Sequence, residues 1–280
     1  MTGLRAPAKL NLALVVGPVL PHGKHEVATV LQAIDLFDDV ALEPADSLVV
    51  EGFAEDTIVR GALIRLAEAA GVAPSWRVRI EKRIPVAAGL GGGSSDAAAA
   101  LELANALLAV PLPDDDLRGL AATVGADVPF FLSAGPQLGS GDGSELTPLE
   151  LPTNYVALLA LSEEAWKEST ASMYRRFDGR GGAEGFDTRR SQLLAALGHV
   201  RQARDLAALP RNDLASSPLA RELEGLGAFR ADVTGSGPIA YGLFDDARKA
   251  EQAASTLALR GRCWIARPVH RPGAPTTLAR

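Results

Sequence analysis

Cysteine is nearly absent. Cys263 stands alone among 280 residues, which excludes an internal disulfide and any multi-thiolate metal site and points to a reducing, cytoplasmic setting. Histidine is scarce too, with four in the chain. His22 and His25 are three apart, but Pro21 and Gly23 break the stretch, so they do not read as a metal pair. No apolar run approaches the roughly 18 residues of a membrane span. The first residues carry Arg5 and Lys9 among short apolar steps and lack the apolar core of a signal peptide. Positive charge is not in excess: 28 Lys and Arg against 34 Asp and Glu give a net charge of −6, which argues against a nucleic-acid partner.

What is present is the composition of an ordinary globular protein, 47% hydrophobic and 22% charged. The length corresponds to about two domains of roughly 150 residues. A boundary near Glu150, between Pro148 and Pro152, divides the chain into 1–150 and 151–280.

The most informative stretch is Ile84-Pro85-Val86-Ala87-Ala88-Gly89-Leu90-Gly91-Gly92-Gly93-Ser94-Ser95-Asp96. Glycines let backbone N–H groups approach a ligand that a Cβ would hold away. The Ala-rich run after it reads as a helix to Leu108, whose first turn offers unpaired N–H groups and a positive dipole end. Loop and helix start together read as an anion site, with phosphate the usual anion; the plainer alternative is a flexible glycine hinge before a capped helix. Ser94 or Ser95 reads as the N-cap.

Two commoner glycine motifs are excluded. Gly23-Lys24 resembles the end of a P-loop, but Gly17 is one residue too far upstream and His25 replaces the Ser or Thr. Gly235-x-Gly237-x-x-Ala240 fits a dinucleotide fingerprint, but Pro238 and an apolar strand follow where a helix is needed.

In chain order, Pro7 to Val16 alternates with period two. Leu10, Leu12 and Leu14 take one face; Lys9, Asn11 and Ala13 take the other, by periodicity a solvated one. Gly17 to His25 reads as a loop. Val27–Ile34 and Val40–Leu42 read as two strands joined by an acidic turn at Asp38-Asp39. A helix begins at Asp56-Thr57 and ends at Gly71; Trp76 to Ile80 is a half-buried strand. Asp114 to Val124 is a short helix. Asp127, ahead of Val128-Pro129, reads as an N-cap. Gly135 to Gly143 reads as a loop and Tyr155 to Leu161 as a buried strand. Asp178 to Thr188, glycine-rich and polar, is the segment most prone to disorder. Helices are expected over Ser191–Leu209, from Arg211-Asn212-Asp213-Leu214, and from Asp245-Asp246 to about Leu259. The Pro-rich tail after Arg267 is expected to fray.

Three segments in order, Pro7 to Leu12, Ile84 to Asp96 and Val233 to Pro238, resemble the motifs of the GHMP kinase superfamily. Pro-Ala-Lys-Leu-Asn-Leu, Ile-Pro-x-x-x-Gly-Leu-Gly-Gly-Gly-Ser-Ser-Asp-Ala-Ala, Gly-Ala-Asp-Val-Pro-Phe-Phe-Leu and Arg-Asn-Asp-Leu resemble, more narrowly, its diphosphocytidyl-methylerythritol kinases. The resemblance runs from about Pro7 to Phe244. It implies an α/β fold of α+β type, with an N-terminal ribosomal-protein-S5-like domain and a C-terminal ferredoxin-like domain. It implies ATP-dependent phosphorylation of the 2-hydroxyl of 4-diphosphocytidyl-2-C-methyl-D-erythritol in the non-mevalonate isoprenoid pathway, with Mg²⁺ accompanying the nucleotide. A different alcohol substrate, or an inactive ligand sensor of the same fold, are the alternatives; the presence of both Lys9 and Asp127 argues against the sensor.

By the same resemblance, Asp127 takes or orients the hydroxyl proton and Lys9 supports it. Pro85, Val86, Ala87, Ala88, Gly89, Leu90, Gly91, Gly92, Gly93, Ser94 and Ser95 form the ATP phosphate loop. Asn11, His25, Tyr174, Gly235, Ser236 and Gly237 are the substrate-binding residues, with Gly235, Ser236 and Gly237 matching the third motif, which packs beside the phosphates. The family's Asp-Gly-Tyr-His is His22-Gly23-Lys24-His25 here, so Lys24 stands where an aromatic residue stacks on the cytosine. Tyr174 matches the second aromatic, and Lys24 is free to lie over the base or to contact a phosphate.

Overall fold

The computed structural model describes residues 2–52, 57–163 and 169–269. The chain opens with a long antiparallel hairpin, β1 (Thr2–Val19) and β2 (His25–Pro44). Then come β3 (Val49–Glu51), α1 (Thr57–Ala70), β4 (Trp76–Glu81), α2 (Gly92–Asn105), α3 (Asp114–Val124) and α4 (Val128–Phe131). A short hairpin, β5 (Gln137–Ser140) and β6 (Glu145–Pro148), follows. The first sheet runs β3-β4-β2-β5-β6, with β1 paired along β2.

The second sheet is built from β7 (Val156–Ser162), β8 (Arg230–Val233), β9 (Ala240–Phe244) and β10 (Gly261–Ala266), in the order β10-β7-β9-β8 and antiparallel throughout. Between β7 and β8 lie α5 (Thr170–Gly179), α6 (Phe186–Leu197), a 3₁₀ turn (Ala203–Ala208) and α7 (Pro218–Gly225); α8 (Ala247–Leu257) joins β9 to β10. This strand order, with helical crossovers after the first and third strands, is the ferredoxin-like arrangement the resemblance implies.

Alternation explains how the layers meet. In β7, Val156, Leu158 and Ala160 pack with Ala220 and Leu223 of α7 and with Ala250 and Ala253 of α8. Ala157 and Leu159 point the other way and join Leu10 and Leu12 of β1 and Tyr241 of β9. A seven-residue apolar strand is thus buried on both faces by period two. In the first sheet, Val78 and Ile80 of β4 meet Leu63 and Leu66 of α1 and the alanines of α2. Small side chains from Ala97 to Ala104 let α2 bury nearly its whole circumference.

Several expectations are corrected. Residues 27–34 and 40–42 are one strand, and Asp38 is not a turn residue: its side chain is fully buried. Its Oδ1 accepts the N–H groups of Arg83 (2.5 Å) and Ile84 (2.8 Å), which compensates burial of a charge within the sheet. The loop before His25 is only residues 20–24, because β1 continues through Gly17 and Pro18 after a register shift. The alanine-rich helix stops at Asn105, whose side chain pairs with both backbone groups of Leu112.

Gly135–Gly143 contains β5 rather than only loop. The segment 178–188 is ordered: Arg189 donates to Gly182 O at 2.8 Å and Phe186 is buried. The helix expected over 191–209 begins earlier, at Phe186, and ends at Leu197 before Gly198. Arg211 to Leu214 is not helical: Asn212 Nδ2 donates to the distant Val233 O and Gly235 O, while its Oδ1 closes a local turn by accepting the N–H groups of Leu214 and Ala215. Asp246 caps α8 by accepting the N–H of Arg248, as expected. Asp56 and the tail from residue 270 lie outside the described residues; before it, Pro268 and Val269 are tied to Ile34 and Ala33 of β2.

Candidate active site

Lys9 projects from the middle of β1 with its side chain only 4% exposed. Nζ donates to Asn11 Oδ1 at 2.6 Å and lies 3.5 Å from Asp127 Oδ2. Asn11 is fixed in turn. Its Nδ2 donates to Thr29 Oγ1 (2.8 Å), and its backbone N–H to Thr234 Oγ1 (3.1 Å). The face expected to be solvated is therefore covered. The cover is the glycine loop and the β8–β9 turn: Lys9 N–H donates to Leu90 O, and Gly235 lies against Lys9 Nζ and Asn11 Oδ1.

Asp127 occupies the N-cap position of α4, but its backbone is already helical (φ −82°, ψ −14°) and its side chain makes no cap hydrogen bond. A cap needs an extended residue there. Freed from that task, the carboxylate faces Lys9 with 39% of the side chain exposed. Lysine sealed below and aspartate open above give a carboxylate held from one side and available to a ligand on the other.

Residues 82–91 connect β4 to α2. The backbone is left-handed at Ala87 (φ 62°), Gly89 (82°) and Gly91 (72°), at every second residue, an alternation of the kind that forms anion-binding concavities. Gly89 is obligatory: a Cβ there would sit 2.2 Å from Thr234 O. The N-cap of α2 is Gly91, not Ser94 or Ser95, and no side chain caps it. The first N–H groups of α2 and its positive dipole end are thus left to an anion. Ser95 is buried inside the first turn, its Oγ without a hydrogen-bond partner among the described residues.

The turn Gly235-Ser236-Gly237 closes over this loop. Thr234 Oγ1 donates to Gly89 O at 3.2 Å, and Ser236 Oγ shares a 3.0 Å hydrogen bond with Thr170 Oγ1 at the start of α5. On the far side of Asp127, Tyr174 of α5 stacks on His25 with centroids 4.6 Å apart and planes 17° apart. His25 Nδ1 must carry its proton, since its partner at 2.8 Å is the carbonyl oxygen of Gly17. Its Nε2 lies 3.4 Å from Asp178 Oδ1. Burial, and after it the charge of Asp127, push the Tyr174 phenol up to about 12, so it stays neutral at physiological pH. Lys24 lies over neither ring: its ammonium pairs with Asp142 Oδ2 at 2.5 Å.

Lys9, Asn11, Asp127, the loop and the Gly235 turn thus come together, with His25 joined to them through Tyr174. Pattern reading missed the supports beneath. Lys82 bridges Asp38 Oδ2 (2.5 Å) and Asp96 Oδ2 (2.6 Å), joining the entry of the loop to the helix at its exit. Burial opposes the Lys82 charge, but the carboxylates of Asp96 and Asp38 outweigh it and hold the ammonium above the usual lysine range. The one available signal was Asp38 within an otherwise strand-like run.

The chain matches the model of the GHMP kinases N terminal domain over residues 57–135. It is 38% identical over 291 residues to the 4-diphosphocytidyl-2-C-methyl-D-erythritol kinase of Salinispora arenicola, covering 96% of this chain and 91% of that one. It is 38% identical over 298 residues to the enzyme of the same name from Nocardia farcinica, with 99% and 95% covered. A crystal structure of 4-(cytidine 5'-diphospho)-2C-methyl-D-erythritol kinase superimposes with TM-score 0.76 at 30% identity, covering 95% of this chain and 98% of the other. A mevalonate kinase shares the fold, with TM-score 0.73 at 14% identity over 95% of this chain and 98% of its own. Identity at this level over nearly the whole length places the chain in the 4-diphosphocytidyl-2-C-methyl-D-erythritol kinase family of the GHMP kinases.

Proposed function

We propose that this protein transfers the γ-phosphoryl group of ATP to the 2-hydroxyl of 4-diphosphocytidyl-2-C-methyl-D-erythritol, as a cytoplasmic enzyme of isoprenoid synthesis built of domains 1–150 and 151–280. The observation that carries the reading is the Lys9–Asp127 pair set beside an uncapped helix N-terminus and a loop left-handed at alternate residues. Phosphoryl transfer asks a protein mainly for positioning and charge stabilisation, and this arrangement supplies both. Backbone N–H groups of the loop and of the first turn of α2, up to Ser94, receive the phosphates. Asp127 accepts a hydrogen bond from the attacking hydroxyl and takes its proton as the new P–O bond forms and the bond from the γ-phosphorus to the bridging oxygen of departing ADP breaks. Lys9, held by Asn11, orients that carboxylate and faces the incoming oxygen. Mg²⁺ suits the hard oxygen donors here, the hydroxyls of Ser94 and Ser95 with phosphate and water completing the shell. Bound there, it would neutralise charge on the phosphates.

The His25–Tyr174 stack is the candidate seat for the cytosine. Lys24, engaged by Asp142, does not replace the family's aromatic residue, so recognition of the base falls to Tyr174 and His25. The test is ATP consumption by the purified protein against the methylerythritol cytidyl diphosphate, mevalonate, homoserine and galactose. Turnover with the first alone is expected. Turnover with another alcohol, and not with the first, overturns the substrate assignment and leaves the kinase chemistry standing.

A further inference from the structure

Asn212 and Asp213 are adjacent in sequence but serve opposite ends of the site. Asn212 is buried and uses all four of its side-chain bonds. Nδ2 donates to Val233 O (2.9 Å) and Gly235 O (2.7 Å), while Oδ1 accepts the N–H groups of Leu214 (2.8 Å) and Ala215 (3.0 Å). It thereby pins the Gly235 turn, whose neighbours are Gly89 O and Lys9 Nζ. Its own N–H donates to Asp232 Oδ2, which pairs with the buried Arg230.

Asp213 points to the other end of β1. Its Oδ2 accepts the Val16 N–H at 3.0 Å and the Arg189 Nε–H at 3.0 Å. Arg189 donates to Val16 O, also at 3.0 Å. One ion pair therefore holds both polar groups of a single peptide residue, where the β1–β2 register shifts between Val16 and Val19 and the regular ladder is interrupted. The next residue, Gly17, supplies the carbonyl that fixes His25.

We propose that Asn212 is a positioning residue for the nucleotide side of the site and Asp213, with Arg189, a positioning residue for the base-recognition side. The inference rests on the functional reading above, in which the loop takes ATP and His25 faces the second substrate. Asn212→Asp keeps the acceptor for Leu214 and Ala215 but sets a carboxylate oxygen against two carbonyls; Asn212→Ser is the gentler alternative should the first not fold. Asp213→Asn removes the charge opposite Arg189.

The experiment is steady-state kinetics with each substrate varied, paired with calorimetric ATP titration and ¹⁵N shifts of the His25 ring. Losing buried hydrogen bonds to a carbonyl or a charge predicts changes of about tenfold. The Asn212 variants should raise KM and Kd for ATP by about that factor and leave His25 shifts and the other KM nearly unchanged. Asp213→Asn should move the His25 shifts and raise the KM of the cytidyl substrate, with ATP affinity unchanged. Parallel changes in both substrates for both variants, or none in either, overturn the division of labour. If the wild-type protein does not phosphorylate the cytidyl alcohol, the functional reading fails. ATP affinity and His25 shifts then still decide the positioning roles.

Discussion

Lys9 shows why a side chain's role is set by what covers it. On β1 it stands on the polar side of a period-two pattern, and pattern alone assigns that side to water. Covered by Leu90 and the Gly235 turn, it keeps partners on Asn11 and Asp127. Lys9→Met should therefore lower kcat by about 10²–10⁴-fold, the range of a group acting on proton transfer, in assays saturated with both substrates. A loss expressed only in KM would assign Lys9 to binding. Asp127 was misread for the same reason. Its neighbours Val128 and Pro129 form a good cap sequence, but a cap residue is extended and Asp127 is helical. The dihedral angles that decide this are set by packing, not by the local sequence.

Between elements, the glycine loop is held at three points: Lys82 with Asp38 and Asp96 below, Thr234 at Gly89 O above, and Leu90 O on β1. Gly89→Ala would impose a left-handed alanine, costing about 1–2 kcal/mol, and would drive a Cβ into Thr234 O. The expected result is a higher KM for ATP with the second substrate's KM little changed, read by varying each in turn. A second junction pins the β1–β2 tip to the β5–β6 turn. Burial disfavours the Asp142 charge, but the hydrogen bond from Lys24 and those from the Ser144 hydroxyl and N–H outweigh it and pull the carboxyl down to about 2. A folded value below the unfolded one stabilises above the unfolded pKa and is lost as pH falls through the folded one. Asp142→Asn should thus cost roughly 2 kcal/mol at neutral pH. The difference from wild type should shrink between about pH 4 and pH 2, as followed by urea denaturation across that range.

Over the whole molecule, two sheets meet along β1, and the site lies where that strand, the β4–α2 loop and the β8–β9 turn converge. Strands with clear alternation, such as Trp76 to Ile80, and helices with clean stops, such as α1 before Gly71, were legible because their burial repeats locally. The glycine loop was legible as a backbone-lined turn ahead of a helix, because glycine alone takes left-handed conformations such as those at Gly89 and Gly91 without strain. Asp38, Asn212 and Arg189 were not, because each reaches a backbone group far away in sequence, at Ile84, Gly235 and Val16, and no short window contains both ends of those bonds. For that reason the polar stretch 178–188 read as disorder, and the pieces of strand on either side of Asp38 read as two.

The assembled site stands or falls on the carboxylate at position 127. Asp127→Asn should be measured for kcat with the cytidyl alcohol and, in the same preparation, for ATP affinity by calorimetry. A fall in kcat of about 10²–10⁴-fold, with ATP affinity nearly unchanged, is the expected result. Turnover equal to wild type would contradict the role given to Asp127, and with it the reading of the Lys9–Asp127 pair as the catalytic centre.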